Sequence, residues 1–185
     1  MEKAQYWSAD ILISSFIFII ILGVFVGIKW SINTNTSEDE DRLLRNALKF
    51  ADDIMQPGMP QEWATRIDLA TLCPNGEGTK RVERIGITDG WDTNTLNETK
   101  LLKLIEINKT SCGYSVLRTV FKCPYDFHIY AERDNKTILI NGEEFNIGLA
   151  PISPRSSVKI DRIVVVNSTV SLLHITVWTN STWLR

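Results

Sequence analysis

Residues 11–28 form an unbroken stretch of eighteen uncharged, mostly apolar side chains beginning ten residues into the chain. Few folds accommodate such a run. At 1.5 Å of rise per residue, about 20 helical residues cross a bilayer core of ~30 Å. The segment is therefore expected either to sit in a membrane or to pack among helices like itself. Trp7 and Trp30 flank it in the manner of interfacial aromatics. Gly23 and Gly27, four residues apart, share one helical face and let two backbones approach closely, which makes them candidate assembly positions. Glu2 and Lys3 cancel before the run and Lys29 follows it, so charge does not orient the segment.

Residues 31–37 are polar and poor in helix formers, which predicts a kinked or weakened helix there. Ser37 to Glu40 then reads as a capping box, with acidic residues where the helix dipole favours them. Leu43, Leu44, Ala47, Leu48, Ala51, Ile54 and Met55 follow at helical spacing until Gln56-Pro57-Gly58 ends the pattern. Further on, residues 81–88 read as a strand, and residues 96–107 and 111–121 as helices. From Tyr125 the period switches to two, giving strands at 125–131, 137–140 and 144–147, with Asn141-Gly142 as a hairpin turn. Residues 158–166 and 170–178 are strands apolar on both faces, expected near the centre of the sheet. The fold class is α+β: a long N-terminal transmembrane/stalk helix packed on an antiparallel head of four or five strands. The roughly 155 residues after the apolar run suffice for one domain with its own core.

Net charge is −2, too little positive charge for a nucleic-acid surface, so no nucleic-acid partner is expected. The two histidines, His128 and His174, have no Cys or carboxylate at ligand spacing and read as structural. The pair Gly76 and Gly78 lacks the pattern of a phosphate loop. No metal, cofactor or catalytic constellation is expected, and the chain reads as a non-enzyme.

Cys73, Cys112 and Cys123 allow one disulfide. A helix between Cys112 and Cys123 would hold their Cα atoms ~16 Å apart, beyond the ~7 Å a bridge spans. Cys73 is thus one partner, with Cys112 or Cys123 the other. Asn35, Asn97, Asn108, Asn135, Asn167 and Asn180 each open an Asn-x-Ser/Thr sequon. With 12 Asn and 29 Ser plus Thr in the chain, chance gives about two, and the excess points to a glycosylated extracytoplasmic head.

The segment Lys3-Ala4-Gln5, followed by Asp10 and the apolar run, resembles the class III signal peptide of archaeal type IV pilin-like proteins. The resemblance extends to Gln56-Pro57-Gly58-Met59-Pro60-Gln61-Glu62-Trp63, to residues 84–88, 96–102 and 125–127, and to the paired strands of residues 158–178. It implies that a prepilin peptidase cuts between Ala4 and Gln5, removing residues 1–4 as a leader. Residues 5–30 would then be the apolar helix, 31–56 a stalk helix continuing into the head, and 57–185 the α+β extracytoplasmic head. It further implies that Asp10 pairs with the freed amino group of Gln5 on a neighbouring subunit. The partners implied are other pilin subunits, the membrane and the peptidase. The product is a surface filament subunit, membrane-anchored before assembly and extracellular after it. The alternative is an uncleaved single-span surface protein whose head binds a ligand or partner.

Overall fold

The computed structural model describes the backbone of residues 2–73 and 82–180, and the side chains of residues 13–28, 39–73 and 82–180. The chain divides into two compact units, Met1–Asp41 and Arg42–Arg185. Helix α1 is assigned over Glu2–Ile54, so Ser37 opens no new helix and the polar stretch before it does not end one.

The expected transmembrane/stalk helix is corrected. Among the described residues, no helix is long and apolar enough to cross a membrane. The head unit, moreover, takes in only the turns of α1 from Arg42 onward.

Within the head, Leu43, Ala47, Phe50, Ala51 and Ile54 form a buried stripe at spacings of three and four, while Leu44 and Leu48 face outward. The stripe packs on the sheet: the Phe50 ring centroid lies 5.1 Å from Phe127 and 5.4 Å from Phe121. A helix end leaves carbonyls unpaired, and here the following segment satisfies them. The amide of Ile87 donates to Ile54 O at 2.9 Å and that of Thr88 to Gln56 O at 3.3 Å. Lys100 Nζ donates to Pro57 O at 2.6 Å and Thr88 O at 2.7 Å, placing a buried cation at the negative end of the helix dipole. Residues 82–88 are thus engaged with the end of α1 and make only isolated bridges, Met59↔Arg84 and Thr88↔Leu96, in place of the expected strand.

Trp63 lies fully buried at the start of the short helix α2, Trp63–Arg66. Its indole N–H donates to Gly86 O at 2.8 Å. Gly58, at φ +83°, sits where a Cβ would be 2.5 Å from that ring, which explains the glycine before Trp63. A 3-10 turn, Leu69–Thr71, leads to Cys73. Helix α3, Glu98–Lys109, is capped by Asn97, whose side chain accepts from Lys100 N at 3.0 Å. Helix α4 is Gly113–Val120.

The strands are β1 (Asp126–Arg133), β2 (Lys136–Thr137), β3 (Leu139–Ile140), β4 (Glu143–Glu144), β5 (Asn146–Gly148), β6 (Ser156–Val166) and β7 (Thr169–Thr179). The main sheet has the order β2-β1-β7-β6, with β5 also on β1, and β3-β4 form a separate hairpin. Phe127, Ile129 and Ala131 register with Val177, Ile175 and Leu173, and these six form the buried face. Three hairpins close through two-residue turns with both residues at positive φ: Asp134-Asn135, Asn141-Gly142 and Asn167-Ser168. β7 is central as expected, whereas β6 ends the sheet. Side-chain apolarity reports burial of a strand's faces, but its edges are set by backbone pairing.

Two buried titratable groups, Cys123 and Lys100, and the half-buried Tyr114 give the head a pH signature. Burial pushes the Cys123 thiol above its ordinary 9.0, and burial together with the Tyr114–Asp126 hydrogen bond raises the Tyr114 phenol above 10.0. Burial lowers Lys100, with Asp89 and Glu62 opposing the shift. Above pH 9 the unfolded chain releases thiol and phenol protons that the folded head retains, so these two groups lose stability as pH rises. Lys100 acts with the opposite sign, its buried charge costing less as pH climbs toward 10.5. Urea midpoints across pH 7–11 should therefore decline at the alkaline end. In Cys123→Ala the decline should begin about one pH unit later, at the tyrosine.

Candidate assembly site

The candidate assembly positions expected from the sequence lie on the apolar part of α1. Every large apolar side chain from Ile13 to Ile28 is 50–67% exposed, on all faces of the helix. A helix apolar all round is stable only when something covers it. Gly23 and Gly27 open one face: a Cβ built at either position meets no other atom within 4 Å. They form the shallow strip along which a second helix can approach most closely. Ala4, Gln5, Asp10 and Asn35 fall within α1, and their side chains lie outside the described residues.

The cysteines resolve the open choice. Cys73 and Cys112 are bridged, with Cα atoms 5.9 Å apart, and Cys123 is free and buried. Its protonated thiol, packed beneath the end of α4, is a core residue with little thiolate character.

The sequons differ in what their asparagines already do. Asn97 is occupied at both ends of its amide, accepting from Lys100 N and donating to Asp89 Oδ1 at 2.6 Å. Asn108 accepts from Gly148 N at 3.1 Å and so ties α3 to β5. Asn167 donates to Glu98. Among the described sequon asparagines, Asn135 stands exposed in the β1–β2 turn and Asn180 exposed after β7.

A grouping not foreseen from the sequence joins three strands on the outer sheet face. His174 is buried between Asp161 Oδ1, 2.6 Å from Nδ1, and Glu132 Oε2, 3.2 Å from Nε2. In sequence no carboxylate stands at ligand spacing from either histidine, yet strand pairing brings two to His174. The partners lie 13 and 42 residues away in sequence and meet only through strand pairing. The Tyr130 ring stacks 4.6 Å from His174 and 5.1 Å from His128, whose Nε2 lies 2.7 Å from Asn146 Oδ1. The two carboxylates hold opposite edges of the imidazole and do not converge on one point. Among the described residues, no group of three or more His, Cys, Asp or Glu side chains is placed to hold a metal ion.

A cavity of about 280 Å³ lies beside the end of α1, floored by Phe50 and Phe121 and rimmed by Lys49, Arg84, Asp53 and Glu83. Its charges are mixed, and the Cys123 thiol at its wall is held protonated. Neither the cavity nor the His174 cluster pairs a nucleophile with a base. Comparison with known proteins returns no matching family model, no matching curated protein and no matching solved structure.

Proposed function

We propose that this chain is a pilin-like structural subunit of a surface filament, assembling by bundling of its apolar N-terminal helix with those of other copies. The observation that carries the reading is the uniform exposure of the side chains of residues 13–28. That surface is too apolar to face water and has the small-residue strip that close helix packing uses. The Cys73–Cys112 bridge and the excess of sequons support an extracytoplasmic head, because disulfides persist in oxidising compartments. In this reading a prepilin peptidase acts between Ala4 and Gln5. The new amino group at Gln5 becomes a partner for Asp10 of a neighbouring copy, offsetting the cost of a carboxylate in apolar surroundings. The reading requires no cofactor, no metal and no enzymatic activity.

Electron microscopy of cells carrying the Gly23→Leu, Gly27→Leu double variant tests the helix. Leucine at both positions holds the backbones apart, and fibres containing this chain should be lost while the head still folds. Fibres unchanged in number would overturn the packing role. N-terminal sequencing of the native protein should begin at Gln5, and a mature chain starting at Met1 would refute the processing step.

A further inference from the structure

β6 ends the sheet, and two bonds reveal which of its backbone groups point outward. Val165 N donates to Asn94 O at 2.9 Å, and Val165 O accepts from Leu96 N at 2.8 Å, so Val165 faces away from β7. The β6–β7 register is unbroken from Ser156↔Thr179 to Val166↔Thr169. The period of two therefore carries that outward direction to Ser157, Lys159, Asp161 and Ile163. Among the described residues, no strand pairs with these four. Their side chains are all exposed, Ile163 at 67%.

We propose that this edge pairs with the same edge of a second copy, antiparallel, about a two-fold axis through Ile160. In that register Lys159 lies opposite the partner's Asp161, and Asp161 opposite the partner's Lys159. Ser157 faces the partner's Ile163. All of these are outward-pointing residues, so they form the hydrogen-bonded pairs of the new ladder, and Ile160 meets the partner's Ile160 in a non-hydrogen-bonded pair. Charge selects this register: sliding by two residues sets lysine against lysine in one direction and aspartate against aspartate in the other. Asp161 is prepared for the contact. Its Oδ1 is held by His174 and lies 3.7 Å from its own Lys159, leaving Oδ2 for the partner's lysine. Ile160, half-buried in the monomer, gains an identical neighbour. The same surface serves both copies, as closed two-fold symmetry requires. This interface belongs to the head alone and stands apart from the helix-bundling proposal.

Cross-linking of the full chain in mild detergent tests it. Cα atoms of a non-hydrogen-bonded pair lie ~4.5 Å apart, within the reach of a disulfide, so Ile160→Cys should give a covalent dimer on a non-reducing gel. Val158→Cys, on the same face, would lie ~13 Å from its own copy along the strand and should remain monomeric. Adding Lys159→Glu to Ile160→Cys opposes like charges and should lower the cross-linked fraction about ten-fold. The Gly23→Leu, Gly27→Leu pair should leave the cross-link unchanged, which separates this interface from the helix. Ile160→Cys remaining monomeric with a native melting profile overturns the proposal, as does equal cross-linking through Val158→Cys. Should Ile160→Cys misfold, Lys159→Glu in the native sequence still decides the matter by light scattering. A shift from dimer to monomer supports the interface, and an unchanged mass overturns it.

Discussion

Replacing Trp63 with alanine is expected to destabilise the head by about 3–5 kcal/mol, the range for deleting a fully buried tryptophan side chain. Trp63 has no exposed surface, and its indole seats on Gly58 and hydrogen-bonds Gly86 O. The cost therefore combines a cavity with a carbonyl left unpaired. Trp63→Phe should recover most of the packing and lose mainly the hydrogen bond, about 1–3 kcal/mol. Gly86→Ala attacks the same junction from the other side, because a Cβ there would stand 1.9 Å from Gln56 O, backbone against backbone. Urea unfolding followed by near-ultraviolet circular dichroism measures all three. A loss below about 1 kcal/mol for Trp63→Ala would show that the end of α1 is not clasped as described.

Loss of the disulfide ranks next. Cys73 and Cys112 close a loop with a sequence separation of 39, and the chain-entropy relation assigns a loop of this length about 4 kcal/mol. Cys112→Ser should lower the unfolding free energy by roughly that amount, and reduction of the native protein should lower it similarly. Thiol titration gives an independent check. One thiol, that of Cys123, should react only after denaturant is added, because it is buried in the folded head.

What the sequence disclosed and what it concealed divide along physical lines. The buried stripe of α1 in the head and the turn at Asn141-Gly142 were legible because each is a local pattern of spacing or backbone propensity. Cys73 was identifiable as a bridge partner from helix length, but the choice of Cys112 depended on where the irregular segment before Cys73 arrives. Residues 81–88 alternate as a strand does, yet the amides of Ile87 and Thr88 donate to Ile54 O and Gln56 O at the end of α1, and those of Glu83 and Arg84 to Met59 O. The edge position of β6 was hidden, since side chains do not encode which backbone edge is covered. Long-range pairing likewise concealed the contacts of His174 with Glu132 and Asp161. At the candidate assembly site, Gly23 and Gly27 and the exposed run could be read directly, whereas the reading of that run as a membrane span did not hold.

The last turns of α1 are at once a helix end and a wall of the hydrophobic core. Tension applied to the chain upstream of residue 42 enters the head at Leu43, the first residue of the buried stripe, and not at a slack surface loop. It is then opposed by the whole packed stripe and by the clasp formed by Ile87, Thr88 and Lys100. A pull entering there must break core packing and these hydrogen bonds before the head can lengthen.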